Sequence, residues 1–338
     1  MPLDTSRRLD LLNDWQRGFP LVRAPFAAIA LTAGVSESDV LETYRDALRG
    51  GALSRIGGVF DSRAGGAAML AAMAVPAERL HEVAAIVSAQ PGVNHNYERE
   101  HAINLWFVMT GRDRAAVATA LAAIEQASAL PVLRLPMKQV FRIDLGFDLR
   151  GTVADTADRP RRTTPPPARL MPADEPLAAV VEAGLPLQPL PFDAWALATG
   201  RSPGGGLQTL HRWLATGVLR RFGTVVRHHE FGFAANAMAV FDVADDQVQP
   251  VGRALASEPA LTLIYQRERA AGWPYNLYCM MHGRDRALVT DGLAGVMART
   301  GLHAVPHAVL FSRQRFKQQG ARRFATAERA PSLVYADA

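Results

Sequence analysis

The sequence predicts an α+β protein made by internal duplication, each half a winged helix-turn-helix followed by a βαββαβ domain. Two observations carry this prediction. Segments recur across the chain, and within each copy helical periodicity gives way to alternating strands and helices. "GFPLVRAPFAAIALTAG" (18–34) returns as "GLPLQPLPFDAWALATG" (184–200), and "LSRIGGVF" (53–60) returns as "LRRFGTVV" (219–226) at the same displacement. "NLWFVMTGRDRAAV" (104–117) returns as "NLYCMMHGRDRALV" (276–289) at a slightly larger one, so a few residues were added between the anchors.

Each element follows from its pattern. "RLDLLNDWQ", "PFAAIALTAG" and "SESDVLETYRDALRGG" have helical apolar spacing; the last opens on Ser36 as a cap and stops at paired glycines. The short "LSRIGGVF" then forms the first strand of a wing. Downstream, "AAMLAAMAVP", "AERLHEVAAIVSAQ", "GVNHNYERE", "INLWFVMTG", "RDRAAVATALAAIEQ" and "VLRLPMKQVFRIDLGF" read strand, helix, strand, strand, helix, strand. That order is the ferredoxin-like plan. Asp113 and Asp285, in the two "GRDR" turns, are expected helix caps. The second half repeats both parts, with strands near 234–243, 260–268, 275–282 and 302–312. The boundaries expected are 1–62 and 177–230 for the winged helices and 63–150 and 231–325 for the ferredoxin-like domains. Residues 151–176 form a proline- and arginine-rich linker.

Composition limits the function classes. The chain has 338 residues, 49% hydrophobic and 20% charged, enough for about two domains. The amino terminus lacks the apolar core of an export signal, and no run of about 18 apolar residues occurs. A cytoplasmic protein with no membrane contact is expected. The single cysteine, Cys279, excludes an intrachain disulfide and a cysteine-based zinc cluster, and a buried thiol is expected. The net charge of +5 suits a polyanionic partner, whether nucleic acid or a ligand with several carboxylates. Only Lys138 and Lys317 are lysines; arginine supplies the other basic residues, a skew that codon bias alone would produce. Arginine's rigid donor fork nevertheless suits bidentate carboxylate binding.

The stretches "HNYEREHAINLWFVMTGRDR", "LRRFGTVVRHHEFGFAANAM" and "YQRERAAGWPYNLYCMMHGRDR" resemble the sirohaem decarboxylases, which share the fold of the Lrp/AsnC transcription regulators. The resemblance covers nearly the whole chain outside the linker and fits the fused form of enzymes that usually occur as two related subunits. It implies a carboxy-lyase of haem d1 biosynthesis in denitrifying bacteria. Such an enzyme removes carbon dioxide from the acetates at C12 and C18 of sirohaem to give 12,18-didecarboxysirohaem, with no cofactor beyond the substrate's own iron.

The chemistry demands a proton donor and a carboxylate clamp, because loss of carbon dioxide leaves carbanion character on a methylene carbon. In "VNHNYERE", strand alternation sends His95, Tyr97 and Arg99 to one face and Asn94, Asn96 and Glu98 to the other. His95 is read as the proton donor or as an axial ligand to the substrate iron, and His101 as a second acid. Tyr97, Arg99, Tyr265, Arg267, Arg227, His228, His229 and Trp273 are read as substrate-binding. Trp273 is included because "AGWPYN" looks like a loop insertion in which a large apolar side chain has no evident core. Trp106, Tyr275 and Tyr278 are aromatics that could pack on the macrocycle. The halves are not interchangeable: His95 aligns with Leu263, His101 falls in an altered loop, and "RHHE" (227–230) aligns with "DSRA" (61–64). Division of labour around a shared or single dominant pocket is the simpler account.

Two other readings stay open at this point, a DNA-binding regulator and a non-catalytic haem- or sirohaem-sensing protein. The expected recognition helix "ESDVLETYRDALRG" carries two arginines and four acids, which disfavours contact with phosphates. The halves are expected to pair with each other as a pseudo-dimer, and further oligomerisation is left open.

Overall fold

A computed structural model describes residues 3–61, 63–143, 148–150 and 169–324. Most of the expected linker (151–168), the end of "VFRIDLGF" and the side chain of His228 lie outside the described residues.

The first winged helix comprises α1 (Thr5–Asn13), α2 (Pro25–Ala33), α3 (Glu37–Arg49) and β1 (Leu53–Phe60); the second comprises α6 (Glu175–Ala183), α7 (Pro191–Thr199), α8 (Pro203–Ala215) and β7 (Leu219–Val226). Helix α6 begins inside the stretch read as linker. Ser36 closes a capping box with Asp39, as its place before the helix predicts. The two wings do not stand alone, because β1 and β7 pair antiparallel into one ribbon with Gly57 opposite Gly223. Both glycines are required by close approach. A Cβ on Gly223 would lie 2.2 Å from the Trp15 carbonyl oxygen, and one on Gly57 2.6 Å from that of Val181. Side chains of both copies, among them Phe26, Tyr44, Ile56, Phe192, Trp213 and Phe222, merge into a single core.

The remaining elements are β2 (Ala67–Met73), α4 (Leu80–Ala89), β3 (Val93–Arg99), β4 (Leu105–Gly111), α5 (Arg114–Ser128), β5 (Leu133–Leu135) and β6 (Met137–Ile143). Their copies are β8 (Ala235–Phe241), α9 (Val248–Leu255), β9 (Leu261–Arg267), β10 (Leu277–Gly283), α10 (Arg286–Thr300) and β11 (His307–Gln318). Asp113 and Asp285 cap α5 and α10 by accepting the amides of Ala116 and Leu288. The nine strands run in the order β5-β2-β4-β3-β11-β8-β10-β9-β6. Strand β11, which pairs with β8 through its first part and with β3 through its second, joins a sheet of β5, β2, β4 and β3 to a sheet of β8, β10, β9 and β6.

Two strands depart from expectation. "VLRLPMKQVFRI" is not one strand; it divides at Pro136, which has no N–H to continue a ladder. Segment β5 stays with β2 of its own half, while β6 crosses to pair with β9 of the other. Strand β11 starts later than expected and runs further. Its first five residues pair with β8, and the rest pair with β3 across the duplication.

Period-two alternation gives each sheet two buried faces. Phe107 and Met109 face Val83, Leu121 and Ile124 under α4 and α5. Phe241 and Cys279 face Leu255, Leu293 and Val296 under α9 and α10. Burial pushes the Cys279 thiol up to about 12, so it is inert. The opposite faces meet each other: Leu70, Trp106 and Leu135 pack against Met238, Tyr265, Trp273, Tyr278 and Leu310. At roughly 1.5–3 kcal/mol for each large apolar side chain removed from water, this inter-sheet layer is a main adhesive between the halves.

Candidate active site

Strand β3 supplies the polar wall. Asn96 points to the helix side, where Nδ2 donates to the Ala84 carbonyl and to Ser88 Oγ at 3.0 Å each. His95, Tyr97 and Arg99 turn the other way. The imidazole and phenol rings lie 6.2 Å apart and nearly parallel, and the Arg99 guanidinium sits 5.8 Å from the Tyr97 centroid. A cavity of about 60 Å³ opens beside them, lined by Tyr97, His229, Phe233, Asn236, Ser312 and Arg315.

Burial and neighbouring arginines set the electrostatics here. The His95 ring keeps an accessible rim but is densely surrounded by protein. Burial, followed by the nearby Arg55 and Arg99 charges, lowers its pKa to about 4, so it is neutral near pH 7. Burial raises the Tyr97 pKa, opposed by Arg99, Arg315 and Arg227. Arg99 is fully enclosed, its pKa brought down to about 10 by desolvation. It donates to the Leu310 carbonyl at 3.0 Å and to Asn236 Oδ1 at 3.3 Å. None of these partners carries a full negative charge. Arg227 donates to the Gly51 carbonyl at 2.8 Å, tying the end of the β7 wing to the first winged helix.

The other expected residues fall elsewhere. His101 sits exposed in the β3–β4 turn, Nδ1 accepting the Ile103 amide at 3.0 Å and its ring meeting Trp273 edge-on at 5.2 Å. It does not join His95 and Tyr97. Trp273 has a core after all: it is 1% exposed, packs on Trp106 and Tyr275, and donates from Nε1 to the Tyr278 hydroxyl at 2.7 Å. The short loop folds inward because the inter-sheet layer beneath it is apolar. Tyr265 and Arg267 occupy the second-half counterparts of Tyr97 and Arg99. Arg267 donates to the Leu135 carbonyl at 2.6 Å and lies 4.7 Å from the Tyr265 ring centroid. Its Nε has no partner among the described residues.

Strand register shows how far the two copies have diverged. Tyr97 faces Arg315 and His95 faces Gln318, whereas Tyr265 faces Val140 and Leu263 faces Ile143. The first-half position is polar and the second apolar. Sequence reasoning missed Arg55, Asn236 and His282. The repeat contained a signal for the last two, since "ANAMAVF" and "YCMMHG" carry Asn236 and His282 where "AAMLAAM" and "FVMTG" carry Ala68 and Thr110.

The fold and this cavity define a class: a duplicated winged-helix protein whose paired ferredoxin-like sheets form a ligand-binding module. Residues 63–142 and 230–317 match the AsnC-like ligand binding domain, and residues 9–53 match the siroheme decarboxylase NirDL-like HTH domain. The chain is 41% identical over 315 residues to the siroheme decarboxylase NirDL subunit of Paracoccus denitrificans (strain Pd 1222), covering 93% of this chain and 96% of that one. It is 32% identical to the siroheme decarboxylase of Hydrogenobacter thermophilus, covering 91% and 92%. The crystal structure of the siroheme decarboxylase NirDL in co-complex with iron-uroporphyrin III analogue superposes with a TM-score of 0.66 at 27% identity, covering 95% and 94%. The chain belongs to the siroheme decarboxylase NirDL family.

Proposed function

We propose that this chain removes carbon dioxide from the C12 and C18 acetates of sirohaem, giving 12,18-didecarboxysirohaem. This is a cytoplasmic carboxy-lyase step of haem d1 biosynthesis that uses no cofactor beyond the iron of the substrate. The observation that carries the reading is a cavity lined by the Tyr97 phenol and His229, with the His95 imidazole and a buried Arg99 guanidinium that meets no carboxylate among the described residues lying beside Tyr97. Each acetate loses carbon dioxide, leaving an electron pair on the methylene carbon; a proton taken there makes it a methyl group. Arg99 and Arg227 hold peripheral carboxylates, and Tyr97 and His229 flank the ring. His95 delivers the proton or ligates iron. Its neutral state in the free protein suits ligation, while the substrate's carboxylates would offset Arg55 and Arg99 and raise its proton affinity.

Both acetates react at the first-half pocket in this reading, because the second-half position has Leu263 in place of His95, with Val140 and Ile143 as its cross-strand neighbours. Tyr265, Arg267 and Trp273 then frame the sheet interface rather than touch substrate. A 60 Å³ cavity is far below the roughly 300–1,000 Å³ of a small-molecule site, so in this reading the site enlarges when substrate binds. The halves act as an intramolecular pseudo-dimer, which the shared sheet and ribbon support. DNA binding is not part of this reading. Arg45 of α3 and His211 of α8 are both turned onto carbonyls of the opposite half, those of Leu187 and Leu21. No helix among the described residues is long and apolar enough to cross a membrane.

The test is incubation of the anaerobically purified protein with sirohaem, followed by mass spectrometry of the extracted pigment. Loss of two carbon dioxide units is expected; a pigment that stays bound but unchanged overturns the assignment in favour of a sensor or carrier.

A further inference from the structure

Arg99 is held by a side-chain relay that reaches across both sheets. Asn236 on β8 lies opposite His282 on β10, and its Oδ1 accepts from both Nη atoms of Arg99 and from Ser312 Oγ. A guanidinium has donors only, so the amide must face it with oxygen. That orientation turns Nδ2 toward His282 Nε2 at 3.1 Å, and the ring nitrogen there must be a bare acceptor. The imidazole is therefore neutral with its proton on Nδ1, which meets Thr262 Oγ1 at 3.0 Å. The threonine hydroxyl passes its hydrogen to the Met280 carbonyl at 3.3 Å. Donors and acceptors alternate without conflict along the path Met280, Thr262, His282, Asn236, Arg99.

The duplication supplies an internal control. Arg267 is the homologous arginine, at the same place on β9, with the Leu135 carbonyl where Arg99 has that of Leu310. At the positions of Asn236 and His282 the first half has Ala68 and Thr110, paired across β2 and β4 in the same register. Arg267 accordingly has the Tyr265 and Tyr278 side chains and the Leu135 carbonyl beside it, with no amide–imidazole pair behind it. The fold can thus bury an arginine here without a relay. Neutral acceptors rather than a carboxylate also leave the Arg99 charge uncompensated, which costs stability unless an anion arrives.

We propose that Asn236 and His282 are positioning residues that fix the Arg99 guanidinium for a substrate carboxylate while keeping its charge unneutralised. This rests on the sirohaem reading above. Asn236→Asp would place a carboxylate against Arg99 and spend its charge inside the protein. The measurement is binding of iron-uroporphyrin III by absorbance titration, with thermal unfolding of each free protein alongside. Asn236→Asp is expected to melt at or above the wild-type temperature and to bind at least about tenfold more weakly, the scale of one lost charge-assisted hydrogen bond. A purely structural role predicts the same thermal result with wild-type affinity, and that outcome overturns the proposal. His282→Leu removes the acceptor that orients Asn236, and His282→Gln restores one. Weaker binding in the first and recovery in the second is expected, and equal affinity in both overturns the proposal even if Asn236→Asp does not fold. Wild-type protein that fails to bind the porphyrin would instead sink the sirohaem reading.

Discussion

If His95 faces substrate from β3, as proposed, His95→Ala should fold, and its effect separates two roles. Loss of a proton donor slows turnover by about 10²- to 10⁴-fold and leaves the bound pigment's visible spectrum nearly unchanged. Loss of an iron ligand shifts that spectrum and weakens retention of the pigment. Stability carries a third readout. The unfolded imidazole takes up a proton near 6.5 and the folded one only near 4, so between these values the unfolded chain holds more protons. The wild type should therefore lose melting temperature relative to His95→Ala as pH falls from 6.5 to 4, and the gap should stay level above 6.5. A gap independent of pH would show that the ring is not buried as described. The two homologous arginines should also part company. Arg99→Leu is expected to weaken porphyrin binding by about 1.5–3 kcal/mol, whereas Arg267→Leu should leave affinity within twofold. Equal losses in both titrations would mean that the second half also holds substrate.

Among elements, the β1–β7 ribbon has the least tolerance. Gly57 and Gly223 face each other where helix-side carbonyls crowd the strands, so Gly223→Ala should cost about 2–4 kcal/mol through displaced backbone. Gly34 is a useful contrast: its φ of 65° is left-handed but nothing lies within 4 Å, so Gly34→Ala should cost only about 1 kcal/mol. Calorimetric unfolding of both variants checks the order, and a reversed order would refute the close-approach argument. The strand-helix-strand order of each half was legible because periodicity is written locally in apolar spacing. The break at Pro136 was visible as a residue, but its consequence was not, since the destination of β6 is a strand more than a hundred residues away.

At the scale of the molecule, neither half closes its own sheet. Strand β3 needs β11, β9 needs β6, and the inter-sheet core draws side chains from both copies. Each half expressed alone should expose an unpaired edge and an apolar face, and so aggregate or self-associate. Co-expressed halves cut between residues 150 and 169 should co-purify as a one-to-one complex on size-exclusion chromatography. A stable, monodisperse monomer from either half would contradict the shared-sheet architecture.

Duplication, element order and the polar face of β3 were determined by the sequence alone, because each is a pattern in neighbouring residues or a comparison of the chain with itself. The tertiary structure decided what those residues meet. Trp273 looked free in an inserted loop and is core, because the layer that receives it is assembled from both halves. Tyr265 and Arg267 looked equivalent to Tyr97 and Arg99, yet cross-strand register gives them Val140 and Met137 where the first-half pair has Arg315 and Ser312. Asn236 and His282 were visible as polar exceptions in apolar strands, but a hydrogen bond to Arg99 depends on strands that become neighbours only when β11 joins the two sheets.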